Sequence, residues 1–185
     1  MSNNIHTKKI LFYFLSVVLL LNLYSQTLQL PEGILGINIG QKYKDLLAIY
    51  QLKKTKSEKE YIKKYVVVYL EQLDNIETCI YTFQSTICEI KVTYKEYFFT
   101  EADFENIYDK AITLYGKPKQ VYLENKGQQI EEVFVWENEK LYYKFIKISD
   151  YQNNFKNFSI SITDKTVEQK IKNLSPIKKL YYKIF

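Results

Sequence analysis

The stretch TEADFENIYDKAITLYGKP, residues 100–118, decides how the rest of the chain is read. It carries the marks of one complete helix. Thr100 is a favoured N-cap residue, and Asp103 stands three residues later, a shortened capping box. Phe104, Ile107, Tyr108, Ala111 and Tyr115 recur at helical spacing and make one apolar stripe. Gly116 permits a left-handed turn after the last helical residue, and Pro118 blocks continuation. Strand-like segments on both sides need an apolar face, and this helix supplies one.

On the N-terminal side, residues 78–83 (TCIYTF) and 87–94 (ICEIKVTY) read as a hairpin around Gln84-Ser85-Thr86. Cys79, Tyr81 and Phe83 share one face of the first strand. Cys88, Ile90, Val92 and Tyr94 share one face of the second. Residues 65–70 (YVVVYL) are β-branched and aromatic, which predicts a strand. Residues 53–64 are polar and lysine-rich and read as a loop or a helix extension. Before them, 41–52 (QKYKDLLAIYQL) places Tyr43, Leu46, Leu47 and Tyr50 on one helical face. Residues 33–39 (GILGINI) predict a short strand.

On the C-terminal side, 120–124 predict a strand with a turn near Gly127. Residues 130–136 and 141–148 predict a hairpin around Glu137-Asn138-Glu139-Lys140, and 157–163 (NFSISIT) a last alternating strand. Asp164 is placed to cap a helix over 165–173, which Ser175-Pro176 ends. The order suggests an α+β fold of two tandem α-β-β-β units, about 33–99 and 100–164. The expected packing is one antiparallel sheet with the helices on one face, in a single domain of residues 26–174. A basic-aromatic tail, 175–185, follows.

A helix followed by an antiparallel meander, twice over, resembles the β-lactamase inhibitor protein (BLIP-like) fold. Gly40 leading into KYKDLLAIY is similar to the opening of the small outer-membrane assembly lipoproteins of the SmpA/OmlA type. The resemblance implies a protein that acts by binding other proteins.

The first 25 residues read as an export signal. Lys8 and Lys9 form a basic start, and 10–24 is apolar except for Ser16 and Asn22. That run is shorter than the ~20 residues of a membrane span and suits a signal core. Ser25 is a small residue before a cut at Gln26, and an uncleaved anchor is the alternative. No cysteine near the cut is available for a lipid. The expected location is periplasmic or secreted. Removing Lys8 and Lys9 leaves 24 basic against 21 acidic side chains, a net of +3. So mild a surplus gives no argument for nucleic acid. Tyrosine and phenylalanine supply 29 of 185 residues, a bias toward sheets and cores.

The only histidine, His6, lies in the signal, so the mature chain lacks imidazole for a nucleophile pair or a zinc site. Gly33, Gly36 and Gly40 are not followed by the Lys-Ser/Thr of a phosphate loop. Glu131, Glu132, Glu137 and Glu139 are glycosidase carboxylates by type only, and adjacent Glu131 and Glu132 point to opposite faces of a strand. The lysines at 53, 54, 56, 59, 63 and 64 are diluted by Glu58 and Glu60. The tail spaces Ile177, Leu180, Tyr181 and Ile184 helically between lysines, which suits docking on the domain, fraying or membrane contact. No catalytic, cofactor or metal residue is expected.

Trp136, Tyr142 and Tyr69 are the interaction candidates, because aromatics give stiff contact area with polar tips. They suit a sheet face turned away from the helices, though parity equally allows core packing. The function expected is binding of another cell-envelope protein. The alternative is a carboxylate-dependent hydrolase with its site in the sheet groove. Oxidising surroundings and the shared hairpin face predict a Cys79–Cys88 disulfide. A slip of one residue in register would forbid it.

Overall fold

A computed structural model of the chain describes residues 29–68, 75–95, 97–176 and 178. Residues 1–25, expected to be an export signal, Tyr69 and most of the tail lie outside the described residues. An N-terminal pair, β1 (Gly33–Ile34) and β2 (Ile37–Asn38), leads to the short helix α1 (Tyr43–Leu46). Then come β3 (Gln51–Thr55), β4 (Lys63–Val68), β5 (Ile76–Phe83) and β6 (Thr86–Tyr94). Helix α2 (Glu101–Tyr115) follows, with β7 (Gln120–Lys126), β8 (Gln129–Glu137), β9 (Leu141–Asp150), β10 (Phe155–Asp164) and α3 (Thr166–Lys172).

Strands β3 to β10 form one eight-stranded sheet in the order β3-β4-β5-β6-β10-β9-β8-β7. Every pairing is antiparallel. Two four-stranded meanders thus meet where β6 pairs with β10. The fold is α+β and rich in sheet, as the strand alternation predicts.

Helix α2 forms where its ends say it should. The Thr100 side chain accepts from the Asp103 backbone, and the Asp103 carboxylate accepts from the Thr100 backbone at 2.7 Å. Gly116 ends the helix at φ 72°, ψ −170°. This is not the left-handed turn expected, but it is a backbone region open essentially to glycine alone. Phe104 and Ala111 are buried, and Ile107, Tyr108, Ile112 and Tyr115 pack beside them on Phe134, Trp136, Phe145 and Phe158. Leu46 of α1 packs on Tyr65, Val67, Ile80 and Ile90. Ile90 stands opposite Ile162 of the first cluster, so α1 and α2 cover the same face. Helix α3 departs from the expected arrangement. Its Val167 packs on Phe83 and Cys88, whose side chains leave the opposite face.

Three local expectations change. The 33–39 strand is a hairpin, because Leu35 and Gly36 both take positive φ. A Cβ on Gly33 would strike the Ile37 carbonyl across that hairpin. The first helix is four residues long, and Leu47 and Ile49 are exposed. The chain instead turns and lays β3 along β4, from Gln51 opposite Val68 to Thr55 opposite Lys64. Strand pairing there covers an edge rich in valine, and tertiary pairing overrides helical periodicity.

The third change concerns the cysteines, which remain free thiols in the structure. The β5–β6 loop is only Gln84-Ser85, both with positive φ, and Phe83 pairs with Thr86. A bulge then follows between the Tyr81–Glu89 and Thr82–Ile87 pairs. Cys79 faces Lys91, three residues beyond Cys88. That offset is about 10 Å along the strand, well outside disulfide reach.

Candidate interaction surface

Trp136 belongs to the helix face. It is fully buried, and its indole N–H donates to the Gly116 carbonyl at 2.8 Å. It therefore ties the C-terminal end of α2 to β8 and is not a surface contact. Tyr142 is on the second face, as its opposition to Thr163 and Glu137 shows. Tyr69 lies outside the described residues.

Cross-strand register sets out the second face in rows. One row reads Lys64, Tyr81, Glu89, Thr163, Tyr142 and Glu137 from β4 to β8. Neighbouring strands lie about 4.8 Å apart, which puts Tyr81 and Tyr142 about 14 Å from each other. Each tyrosine sits between two lysines. Lys59 and Lys64 lie 4.9 and 5.8 Å from the Tyr81 ring centre. Lys165 and Lys144 lie 4.6 and 5.4 Å from that of Tyr142. Each group also carries a glutamate: Lys59 pairs with Glu89, and Lys165 with Glu137 at 2.7 Å. The hydrogen bond from Lys165 and its charge hold the Glu137 carboxyl below its ordinary range. Burial, followed by the nearby Cys79 and Glu89, pushes the Tyr81 hydroxyl upward.

The next row reads Cys79, Lys91, Ser161, Lys144 and Val135. Among the described residues, Lys64, Lys91 and Lys144 have no carboxylate partner, whereas Glu89 and Glu137 do. Glu58 and Glu77 also act on Tyr81. The five lysines at 59, 64, 91, 144 and 165 therefore exceed the four glutamates at 58, 77, 89 and 137 by one, a small positive surplus. Ser159, one row further, is fully buried and its hydroxyl finds no hydrogen-bond partner among the described residues. Burial without a partner disfavours a hydroxyl. The thiols bring no reactivity to this face. Burial raises Cys79 to about 11 and Cys88 to about 12, so both stay protonated at neutral pH.

The carboxylates expected of a hydrolase are dispersed. Glu131 stands opposite Ile148 on the second face, and Glu132 opposite Lys147 on the helix face. Glu137 is engaged by Lys165. Glu139 lines a cleft with Glu32 and Lys140, and none of the other three lines it. An adjoining cleft of about 340 Å³ holds Glu32 and Asp164. Asp164 accepts from the Thr166 backbone at 2.8 Å and starts α3, which commits that carboxylate to a cap. No group of three or more His, Cys, Asp or Glu gathers among the described residues.

No protein-family model, curated protein or solved structure matches this chain. The geometry of the two faces therefore carries the functional argument by itself.

Sequence reasoning found Tyr142 and missed Tyr81, Lys59 and Lys165. Tyr81 was visible as a member of the Cys79–Phe83 face. The two lysines reach the sheet from outside it, and no pattern along a strand announces them. Among the described residues, no helix is long and apolar enough to cross a membrane.

Proposed function

We propose that this is an exported, non-enzymatic binding protein that engages another cell-envelope protein through the second face of its sheet. The row from Lys64 to Glu137 carries the reading. It presents two tyrosines, each flanked by lysines, around a centre with a small positive surplus. Aromatic rings with polar tips are frequent interaction hot spots, and unpaired lysines select an acidic counterpart. The partner therefore offers an acidic surface with apolar positions about 14 Å apart to meet Tyr81 and Tyr142.

The architecture supports a finer inference. Each meander is preceded by a helix, α1 before β3–β6 and α2 before β7–β10. We read the chain as two tandem units of one helix and four strands, the first unit gaining β3 beyond the three strands that alternation suggests. The hydrolase reading rests on the Glu32–Asp164 cleft, where the cap on α3 occupies one of the two acids.

Affinity capture from the envelope fraction tests the proposal. Wild-type protein is expected to retain a partner that the Tyr81→Ala/Tyr142→Ala variant loses. Equal capture by both would refute the use of this face. Mass spectrometry of the native N terminus checks export: a chain beginning near Gln26 is expected, and intact protein in the cytoplasm would refute it.

A further inference from the structure

The two edges of the sheet are finished differently. Edge strands carry unpaired backbone groups, and proteins protect them with lysine, proline, bulges or short length. Strand β3 follows that rule: it has five residues, with Lys53 and Lys54 exposed. Strand β7 does not. It has seven residues, pairs with β8 without a register shift, and contains no proline. Val121 and Leu123 are 54% and 69% exposed. They stand opposite Phe134 and Glu132, so they lie on the helix face beyond the core. Among the described residues, nothing covers these two alternate apolar side chains.

We propose that β7 pairs with β7 of a second copy, antiparallel, with Tyr122 on the two-fold axis, and so joins two sheets into one. The sequence of β7 fits itself in this register. A two-fold axis normal to the sheet keeps each face on its own side, so opposed residues must have the same parity. Centring on Tyr122 sets Val121 against Leu123 of the second copy, twice, on the helix face. On the other face it sets Tyr122 against Tyr122 and Gln120 against Glu124. Apolar meets apolar, aromatic meets aromatic, and Glu124 keeps its ion pair with Lys126 beside a neutral glutamine. Cross-strand pairs of these types stabilise antiparallel sheets. Centring on Leu123 instead keeps one apolar pair, Leu123 against Leu123, but sets Val121 against Asn125 and Tyr122 against Glu124. This inference is independent of the binding proposal, which uses the middle of the second face.

Sedimentation velocity of the full chain, from micromolar to millimolar concentration, tests it. Wild type is expected to pass from monomer to dimer. Val121→Lys/Leu123→Lys puts lysine against lysine in both copies and should raise the dimer dissociation constant by roughly tenfold or more. Both positions are exposed, so circular dichroism and melting temperature should match wild type. Leu114→Lys, at another exposed leucine outside β7, should leave association unchanged. Under mild oxidation, Tyr122→Cys should form a disulfide-linked dimer and Leu123→Cys should not, while the buried Cys79 and Cys88 stay silent. Three results would each overturn the proposal. One is a wild type that stays monomeric throughout, including one whose β7 accepts only another protein's extended peptide. Another is a dimer untouched by the lysine pair. The third is cross-linking at Leu123→Cys in place of Tyr122→Cys.

Discussion

The two faces of this sheet use the same residue types for opposite ends. On the helix face, aromatics meet aromatics. Tyr108 lies 4.6 Å from Phe134, Trp136 5.4 Å from Phe145, and Tyr94 stacks on Phe158 at 4.3 Å. On the second face, Tyr81 and Tyr142 meet lysines. An aromatic among aromatics is part of a close-packed interior, where every removed atom leaves a void. An aromatic among lysine stems keeps part of its ring exposed, although Tyr81 also packs beside Val167 and Leu174. Composition alone cannot separate these uses. The neighbouring strand decides.

The comparison breaks most visibly at Phe104, which is buried against Phe134, Phe145 and Phe158. Phe104→Ala should cost about 3–5 kcal/mol, read as a fall in the denaturation midpoint at constant slope. Ile107, at the centre of the same stripe, is only half-buried, so Phe104 is the more sensitive position. A melting curve like wild type would contradict the packing of α2. Trp136→Phe keeps most of the apolar volume and removes the hydrogen bond to Gly116. It should cost about 0.5–1.5 kcal/mol for the lost hydrogen bond, because Gly116 is exposed and water can take its carbonyl.

The second face should behave otherwise. Tyr142→Ala loses ring contact with Lys165 and Lys144, worth about 0.5–1 kcal/mol of stability at a half-exposed site. Its main effect should fall on partner binding. A loss of stability as large as that of Phe104→Ala would erase the distinction between the faces.

The smallest effect is a pH dependence at the start of α2. Hydrogen bonds from the Thr100 backbone and hydroxyl hold the Asp103 carboxyl below its ordinary range. A carboxyl lowered in the folded state contributes stability above its unfolded pKa and loses it as pH falls through the folded value. Asp103→Asn should therefore melt slightly below wild type at neutral pH. The difference should close as the solution is acidified below the ordinary carboxylate range. A constant difference across that range would assign the effect to shape and not to charge.

Legibility followed the range of the forces involved. Helix α2 was readable at both ends because Thr100, Asp103 and Gly116 act on backbone groups within four residues. The β5–β6 and β8–β9 hairpins were readable because alternation and turn residues are local. Strand β3 was not. Tyr43, Leu46, Leu47 and Tyr50 continue a helical period, and the lysines that guard an edge strand look like those of a loop. Only pairing with β4 reveals the strand. The disulfide expectation failed on the register: the two-residue turn that pairs Phe83 with Thr86 already carries Cys79 two residues past Cys88, and the bulge at Cys88 adds a third. The face of Trp136 needed knowledge of its cross-strand partner Tyr143 and of the helix above it.

The most direct test of the functional account is site-specific photo-cross-linking in intact cells. A photoreactive residue at Lys144, in the middle of the second face, is compared with one at Tyr97, which is 92% exposed and lies outside the sheet, between β6 and α2. The account predicts a discrete cross-linked envelope protein from position 144 and none from position 97. Cross-linking from 97 alone, or the same product from both, would contradict it.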